Sequence, residues 1–348
     1  MKHLRFLFIF ACAALLPASA RSWAASAQEH LFTSTHAAMG TTYSLFLYTS
    51  DRRRATQLSE EVWEEVDRIE DLLSNYRETS ELSRINRLAA DAPVTTDPET
   101  FRFLTEAQHW SRASDGAFDL TVGKLMRAWG FFRSNGHIPS DAELATVRQE
   151  TGWKKIRLDP ADRSVRFLSP GLELDPGGIG KGFAIDAAAT ILRREGVRSA
   201  LLSAGSSTLY AIGAPPHRRG WRVVVPDPVR GYPPLSVIFL RDESVSSANC
   251  TEKNFTLNGH VYCHIMDPST LRPVEGMLRV SVIHPNATAS DALSNVVFVK
   301  RPEESLKILA QDAPRSRAII VSGDSSHPTC TIFRWTAKLS QRCSATQH

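Results

Sequence analysis

Hydrophobic and polar positions change their period along the chain, and each period predicts a different element. Apolar residues recur every three or four positions from Ala55 to Leu73, which predicts an amphipathic helix. A β-rich run with partial alternation, Thr41 to Tyr48, favours a strand. Asn258-Gly259 separates two short β-rich runs, so we expect a tight hairpin there.

The same patterns predict the remaining elements and the fold class. Further helices are expected at Thr95 to Ala113, Asp141 to Glu150, Lys181 to Glu195, Ser290 to Val299 and Glu303 to Gln311. Further strands are expected at Lys155 to Leu158, Val165 to Leu168, Ala200 to Leu202, Thr208 to Ile212, Arg222 to Val225, Leu235 to Leu240, Leu278 to Ile283, Ala318 to Val321 and Thr331 to Trp335. Strands come in runs without regular strand–helix–strand alternation. We therefore expect an α+β fold, with mixed or antiparallel sheets and flanking helices, in one large domain over residues 28–348.

Residues 1–27 have the pattern of a secretory signal peptide. Lys2 and Arg5 form a basic n-region, and the apolar stretch Phe6 to Leu16 is too short to span a membrane. Small residues allow cleavage after Ala20 or after Ala27. We expect the mature protein to be exported to the periplasm, either free or membrane-associated.

Composition excludes two broad classes of protein. With 42% hydrophobic and 22% charged residues, the chain resembles ordinary globular proteins, and global disorder is excluded. A formal net charge of +4 over 348 residues gives no basic stripe of the kind that nucleic-acid binders carry. No nucleic-acid partner is therefore expected.

Export would change how the cysteines are interpreted. Cys250, Cys263, Cys330 and Cys343 would remain in the mature chain, and they allow three pairings. Free buried thiols are the alternative, while the lack of a C-x-x-C motif disfavours zinc or thioredoxin-like chemistry. We expect a Cys330–Cys343 bond, because both residues lie near the ends of one β-rich tail segment.

A glycine-rich turn carries the most informative chemistry. The segment Leu174 to Asp186 (LDPGGIGKGFAID) places four glycines and Lys181 between a strand and a helix. Glycines let the backbone approach a ligand, and helix N–H groups with a lysine suit a phosphate. The pattern matches neither a P-loop nor a Rossmann fingerprint. Taken alone, the segment is explained slightly better by a tight turn that leads into a helix than by a ligand site.

Five further motifs accompany this turn. They are Ala38 to Thr41 (AMGT), Leu73 to Arg77 (LSNYR) with Ser80 to Asn86 (SELSRIN), Asp115 to Leu125 (DGAFDLTVGKL) with Trp129 to Phe131 (WGF), His264 to Pro268 (HIMDP) and Ser290 to Asn295 (SDALSN). In this order and at these intervals, the set resembles the ApbE family, the FAD:protein FMN transferases. The resemblance extends from about Met39 to Lys300.

The resemblance implies an activity and its partners. ApbE proteins take FAD as substrate, release AMP and attach FMN through a phosphoester to a Ser or Thr of an acceptor protein, with Mg²⁺ as cofactor. The acceptor would be a membrane-associated redox subunit. Two alternatives stay open: an FAD pyrophosphatase that yields FMN and AMP, and a non-catalytic FAD-binding module on the same fold.

The resemblance also implies roles for particular residues. Positions that line the FAD site in the family are matched by Met39, Tyr76, Ala117, Phe118, Asp119, Asp175 and Ile265, and the phosphate-facing lysine by Lys181. The metal ligands would be Asp291, Asn295 and the backbone carbonyl of Gly178. The i, i+4 spacing of the first two places them on one helical face, as joint ligation requires. His264 is the candidate general acid/base, since histidine titrates near neutral pH, and a structural histidine is the equal alternative.

The sequence departs from the family pattern at three places. Ser203 to Ser207 (SAGSS) stands where N-x-G-G-D is common, and Ser247 to Asn249 (SAN) stands where T-S-G is common. Asn295 replaces a threonine at the presumed metal site. An asparagine carbonyl is also a neutral, hard oxygen donor, so metal binding remains chemically compatible with this change.

Overall fold

A computed structural model describes residues 28–132, 135–251, 253–324 and 326–344 of the chain. The signal peptide predicted over residues 1–27 lies outside the described residues. Within the described ranges, no helix combines the length and apolar character needed to cross a membrane.

The helices and strands follow one another in runs, as expected for the α+β class. The helices are α1 (Arg52–Leu73), α2 (Glu81–Leu88), α3 (Pro98–Ala113), α4 (Gly123–Ala128), α5 (Asp141–Gln149), α6 (Gly180–Arg194), α7 (Ala287–Val299), α8 (Pro302–Gln311) and α9 (Gln341–Ser344). The strands are β1 (His30–Ala38), β2 (Thr41–Thr49), β3 (Val94–Thr95), β4 (Ile156–Asp159), β5 (Ser164–Phe167), β6 (Ser199–Ala204), β7 (Thr208–Gly213), β8 (Trp221–Val225), β9 (Ser236–Leu240), β10 (Glu243–Asn249), β11 (Asn254–Leu257), β12 (His260–Cys263), β13 (Met266–Asp267), β14 (Arg272–Pro273), β15 (Met277–His284), β16 (Arg317–Gly323) and β17 (Pro328–Phe333).

An eight-stranded sheet forms the centre of the fold, in the order β1-β2-β6-β7-β10-β15-β16-β17. All neighbouring strands in it are antiparallel. Side chains of a strand alternate between the two faces of a sheet. In β16, Ala318 and Ile320 therefore belong to one hydrophobic core, while Ile319 and Val321 belong to another. The continuous apolar run of β16 follows from its burial on both faces.

The two faces of the sheet have different partners. Helices α1, α3, α6 and α7 cover one face and complete the larger core. The β8–β9 ribbon and the C-terminal segment with Trp335 cover the other face. The Cys330–Cys343 disulfide lies in this second core, which confirms the predicted pair, and a second disulfide joins Cys250 to Cys263.

At one end of the sheet, where strands β2, β6, β7 and β10 begin or end, loops from distant parts of the sequence lie side by side; we call this end the sheet edge. Tyr43 on β2 pairs with Ala204 on β6, which pairs with Thr208 on β7. Thr208 in turn pairs with Ser246 on β10. The β1–β2 turn, the β6–β7 turn and the end of β10 therefore lie in one row at the same edge.

Several element boundaries differ from the sequence prediction. Strands β1, β3, β10, β13 and β14 and helices α2, α4 and α9 were not predicted. Helix α7 begins at Ala287 and not at Ser290, because the Asn286 side chain caps it by accepting a hydrogen bond from Ala289 N at 2.8 Å.

Candidate functional site

A cleft of about 730 Å³ opens at this edge of the sheet, in the size range of small-molecule sites. Its walls come from the sheet-edge turns, the start of α6, one side of α7 and the loops after α1, α3 and β12. The sequence-predicted site residues all line it: Met39, Tyr76, Ala117, Phe118, Asp119, Asp175, Gly178, Lys181, His264, Ile265, Asp291 and Asn295. Residues more than 250 positions apart thus meet in one cavity.

The glycine-rich turn forms part of the cleft floor and leads into α6. Asp175 Oδ1 accepts a hydrogen bond from Gly177 N at 2.8 Å, which closes the turn locally. Helix α6 has no side-chain cap at its N-cap residue, Ile179. Lys181 is half-buried, with Nζ 3.4 Å from the carbonyl oxygen of Gly177. Gly180 N donates to the carbonyl oxygen of Pro176 and Gly182 N donates to Asp291, so the Lys181 ammonium, together with the positive end of the helix dipole, is what favours an anion at this place.

Asp291 lies on α7 and is only 3% exposed to solvent. Its Oδ2 accepts from Gly182 N at 2.9 Å, and its Oδ1 accepts from Thr208 Oγ1 at 3.3 Å. In the part of the chain that the structure describes, Asp291 takes part in no ion pair. A carboxylate buried among neutral donors offers a charged oxygen ligand to a cation, and a bound cation would compensate that buried charge.

A chain of hydroxyl groups fixes the position of this carboxylate. Ser246 Oγ donates to Thr208 Oγ1 at 3.1 Å and lies 2.7 Å from Ser290 Oγ. Ser290 Oγ also lies 2.8 Å from Ser244 Oγ. Because Thr208 donates to Asp291, strands β7 and β10 and helix α7 together orient the carboxylate.

Asn295 connects the glycine turn to the acidic residue. Its Nδ2 lies 3.1 Å from the carbonyl oxygen of Gly178 and 3.0 Å from the backbone oxygen of Asp291. The amide oxygen and nitrogen of an asparagine exchange places on a flip of the side chain, so a cation at this position would face Oδ1. Asp291, Asn295 and Gly178 thus offer one charged and two neutral oxygen donors, and this set fits Mg²⁺.

The donor set also indicates which further ligands would complete the coordination of a cation. Among the described residues, no three His, Cys, Asp or Glu side chains come together. Mg²⁺ is commonly held by one or two carboxylates, with waters and substrate phosphates as its other ligands. These oxygens therefore suit a cation that binds together with a phosphorylated substrate.

Asp186 on α6 fixes the start of α7. Its carboxylate accepts from Ala287 N at 2.9 Å, from Thr288 N at 2.8 Å and from Thr288 Oγ1 at 2.6 Å. Burial raises the pKa of the Asp186 carboxyl, and these hydrogen bonds oppose that shift. The contact anchors the helix that carries Asp291 to the helix that carries Lys181.

An aromatic stack forms one wall of the cleft. Tyr76 is 59% exposed, and its ring stacks on Phe132 with centroids 4.1 Å apart. The guanidinium of Arg127 covers Phe132 at 3.5 Å and is held by Glu173 at 2.7 Å. Burial, and next the charge of Asp175, raise the pKa of Tyr76. A flat, half-open tyrosine backed by a second ring can bind the face of an aromatic ligand.

Met39 and Asp119 shape other parts of the cleft wall. Met39 has a positive φ of 49°, its backbone N donates to Glu70 Oε1 at 3.0 Å, and Tyr43 donates to its sulfur at 3.1 Å. The buried carboxylate of Asp119 accepts from Thr121 N at 2.8 Å, and burial raises its pKa. Asp119 therefore lines the cleft while its carboxylate folds the loop that presents Ala117 and Phe118.

His264 lies where β12 ends and is half-buried. Its Nδ1 is 2.8 Å from the carbonyl oxygen of Lys253, and its backbone N also donates to that oxygen at 3.2 Å. A carbonyl only accepts hydrogen bonds, so Nδ1 carries the proton. In the neutral ring, Nε2 is then the basic nitrogen, as a general base requires.

Sequence reasoning assigned no role to several residues that hold the site together, although two of them, Asn86 and Ser290, stand in the quoted motifs. They are Asn86, Thr208, Ser244, Ser246 and Ser290, and none has a charge that would single it out. The Asn86 side chain binds both backbone groups of Leu174, at 2.8 and 3.2 Å, and so fixes the strand end before Asp175. The alternating serines at 244 and 246 were the available signal, because alternation predicts one shared face.

Comparison with known proteins places this architecture among relatives. The model of the ApbE family matches residues 39–320. The FAD:protein FMN transferase of Treponema pallidum is 30% identical over 267 residues, or 72% of this chain and 74% of the relative. That of Salmonella typhimurium is 28% identical over 294 residues, or 82% of this chain and 83% of the relative.

Solved structures share the fold. The ApbE protein of Thermotoga maritima has a TM-score of 0.77 at 28% identity, covering 90% of this chain and 97% of that protein. The flavinyl transferase ApbE of Pseudomonas stutzeri, in its apo form, has a TM-score of 0.78 at 26% identity, covering 88% and 96%. The motifs that meet in the cleft and the family match over most of the sequence agree, and the chain belongs to the ApbE family.

Proposed function

We propose that this protein is an FAD:protein FMN transferase that cleaves FAD and attaches FMN to a Ser or Thr of an acceptor protein. The carrying observation is the single cleft that gathers an anion-binding turn, the oxygen donors around Gly178, and His264. The names of the relatives support the same activity.

The cleft offers separate surfaces for the rings and the phosphates of FAD. Tyr76, Phe118, Met39 and Ile265 provide apolar and aromatic area for a planar ring. Lys181 and the start of α6 provide positive charge for the pyrophosphate. Because these residues line one cleft together with His264, we propose that the substrate binds with its phosphates within reach of the imidazole.

The reaction is a substitution at the phosphorus atom that FMN retains. The acceptor hydroxyl oxygen forms a bond to that phosphorus, and the phosphoanhydride bond to the AMP oxygen breaks. His264 Nε2 takes the hydroxyl proton, and Lys181 stabilises negative charge on the departing AMP. AMP leaves as the phosphate anion, and FMN remains as a phosphodiester on the acceptor.

The metal would be held by Asp291, Asn295 and the carbonyl of Gly178. A divalent cation there supplies charge neutralisation for the phosphate oxygens. The residues of the chain supply its position: the hydroxyl network fixes Asp291, and Asn295 links it to the glycine turn.

The acceptor and the place of action complete the proposal. The leader sequence supports export to the periplasm, and a membrane-associated redox subunit with an exposed Ser or Thr is the proposed acceptor. The exposed cleft residues Tyr76, Arg77 and Lys253 leave the mouth open to a polypeptide segment.

A three-way assay tests the activity. Purified protein is incubated with FAD, Mg²⁺ and the FMN-binding domain of a membrane redox subunit, while the same domain with its acceptor Thr changed to Val serves as control. AMP is measured by chromatography, and covalent flavin by mass and by fluorescence in a denaturing gel. AMP release together with flavin on the Thr domain, and none on the Val domain, supports the transferase.

The other outcomes identify the alternatives. AMP release at the same rate with either domain, and no covalent flavin, would indicate an FAD pyrophosphatase. FAD binding without AMP release would indicate a binding module. Either result overturns the transferase proposal.

A further inference from the structure

The Cys250–Cys263 disulfide lies at the edge of the cleft. Cys250 directly follows Asn249, and Cys263 directly precedes His264; both of these neighbours line the cavity. The bond brings the two Cα atoms within 5.1 Å and closes the segment that contains Lys253 and the β11–β12 hairpin. A covalent link therefore sets the distance between two cleft walls.

The closed segment holds the candidate base. The Lys253 carbonyl accepts from both the backbone N and the ring Nδ1 of His264, at 3.2 and 2.8 Å. The hydrogen bonds at the base of the segment belong to exposed or partly buried groups, among them Asn254 Nδ2 to Cys250 O at 2.6 Å and Thr251 N to Asn249 Oδ1 at 3.0 Å. The hairpin itself packs through Phe255 and Tyr262 against Phe131 and Trp129. These hydrogen bonds compete with water and the ring contacts lie in the hairpin beyond Lys253, so the disulfide is the covalent constraint on the base of the segment that carries the Lys253 carbonyl.

The two disulfides differ in their access to solvent. Cys330 and Cys343 are 2% and 0% exposed and lie in the core behind the sheet. Cys250 is only partly buried and lies beside an open cleft. Thiol–disulfide exchange requires a thiolate to reach a sulfur, so a soluble dithiol meets the 250–263 bond first.

We infer, resting on the proposed function, that the Cys250–Cys263 disulfide is a positioning element for His264 and makes flavin transfer sensitive to redox conditions. With the bond intact, the Lys253 carbonyl orients the imidazole toward the transferred phosphate. A dithiol opens the bond: one thiolate attacks a sulfur, the second resolves the mixed disulfide, and the dithiol becomes oxidised as both cysteines become thiols. The freed segment then no longer fixes the ring.

The test compares wild type, the double variant C250A/C263A and the matched control C330A/C343A. AMP release from FAD is followed with and without dithiothreitol. We expect C250A/C263A to lose about tenfold or more in kcat, because small misplacement of a catalytic group is costly, while KM for FAD changes by less than about twofold. Its rate should not respond to dithiothreitol. The control should keep its kcat and remain sensitive to the dithiol.

A double-mutant cycle with His264→Ala distinguishes an effect of the disulfide on the position of His264 from a general loosening of the cleft wall. If the disulfide acts through His264, removing it from the His264→Ala protein should cost little further rate. Additive losses would overturn the inference. So would a wild-type rate that stays constant in dithiothreitol while mass spectrometry shows both 250 and 263 alkylated.

The same assay gives a different result if the proposed transferase function itself is wrong. In that case the oxidised wild type itself releases no AMP, or modifies no acceptor. A wild type that transfers FMN at a rate indifferent to the state of this bond contradicts the positioning role alone.

Discussion

Two charged side chains in the cleft, Lys181 and Asp291, are suited to binding ligands of opposite charge. Lys181 is half-buried at the start of α6, where a cation is unfavourable to the helix dipole unless an anion accompanies it. Asp291 is a buried carboxylate that neutral donors hold. The two opposite charges lie on adjacent helices, so a phosphate and a cation can be bound side by side.

Lys181→Met tests the anion site. Methionine keeps much of the aliphatic stem and removes the charge, so flavin transfer should slow by on the order of 10²-fold or more, and FAD affinity should fall less. Lys307→Met, at an exposed helix position outside the cleft, is the control and should match wild type. Steady-state kinetics and FAD titration measure both quantities. A wild-type rate in the Lys181 variant would contradict the phosphate role.

Asp291→Ala tests the cation site. It removes the one formal charge among the proposed ligands, so Mg²⁺-dependent AMP release should fall by on the order of 10³-fold. Asn295→Ala should instead weaken Mg²⁺ affinity, and high Mg²⁺ should restore part of the rate. Asp312→Ala, at the exposed end of α8, serves as control. The measurement is the rate of AMP release as a function of Mg²⁺ concentration for each variant. Full activity of the Asp291 variant would mean that the metal is held elsewhere.

At the scale of elements, the close contact of α6 and α7 determines the site geometry. Asp186 caps α7 from α6, and Gly182 N donates to Asp291 in the opposite direction. A Cβ added at Gly182 would lie 2.3 Å from the carbonyl oxygen of Ala287. Glycine at this position therefore permits the approach of the two helices.

Gly182→Ala should separate the helices. We expect it to lower the free energy of unfolding by about 1–3 kcal/mol, as overpacked sites do, and to reduce Mg²⁺ affinity because Asp291 moves. Thr190→Ala on the exposed side of α6 is the control, with a change below about 0.5 kcal/mol. Urea unfolding followed by circular dichroism measures the stability. An unchanged midpoint would show that the helices can adjust without cost.

At the scale of the whole molecule, the sheet has a core on each face, and a disulfide closes the second one. The Cys330–Cys343 bond ties the C-terminal segment to β17 in that core, remote from the cleft. The other disulfide ties the cleft wall together. The two bonds therefore divide into one for stability and one for the site.

Removing both Cys330 and Cys343 should affect stability and spare catalysis. The bond spans a sequence separation of 13, and a loop of about that size stabilises by roughly 3 kcal/mol. C330A/C343A should therefore melt at a lower temperature while its kcat stays at the wild-type value. Thermal unfolding and AMP release on one preparation measure the two effects. Equal melting temperatures would show that the packing of Trp335 and its neighbours alone holds the tail.

The sequence by itself determined the periodic elements and the motif residues. The helical period indicated α1, and Asn258-Gly259 indicated the β11–β12 hairpin. The ordered motifs indicated the ApbE family, and all the site residues predicted from them line the cleft. These signals are local or depend on residue type, so they can be read without knowing the neighbours of a segment. The position of Cys330 and Cys343 in one tail segment gave the expectation of a pair, with free thiols as the alternative, and the structure supplies the bond.

Only the tertiary structure decided which strands pair and which hydrogen bonds hold the site residues in place. Strand β10 contains three serines and one asparagine and lacks the β-branched and aromatic residues that favour strands, apart from Val245. It forms because β7 and β15 pair with it on both sides. Its hydroxyls reach Asp291 through Thr208, a contact that spans 83 positions in sequence. The Lys253 carbonyl behind His264 and the disulfide that holds it are likewise products of chain closure. Such contacts depend on which segments are brought together in space, and a linear pattern of residue types does not encode that proximity.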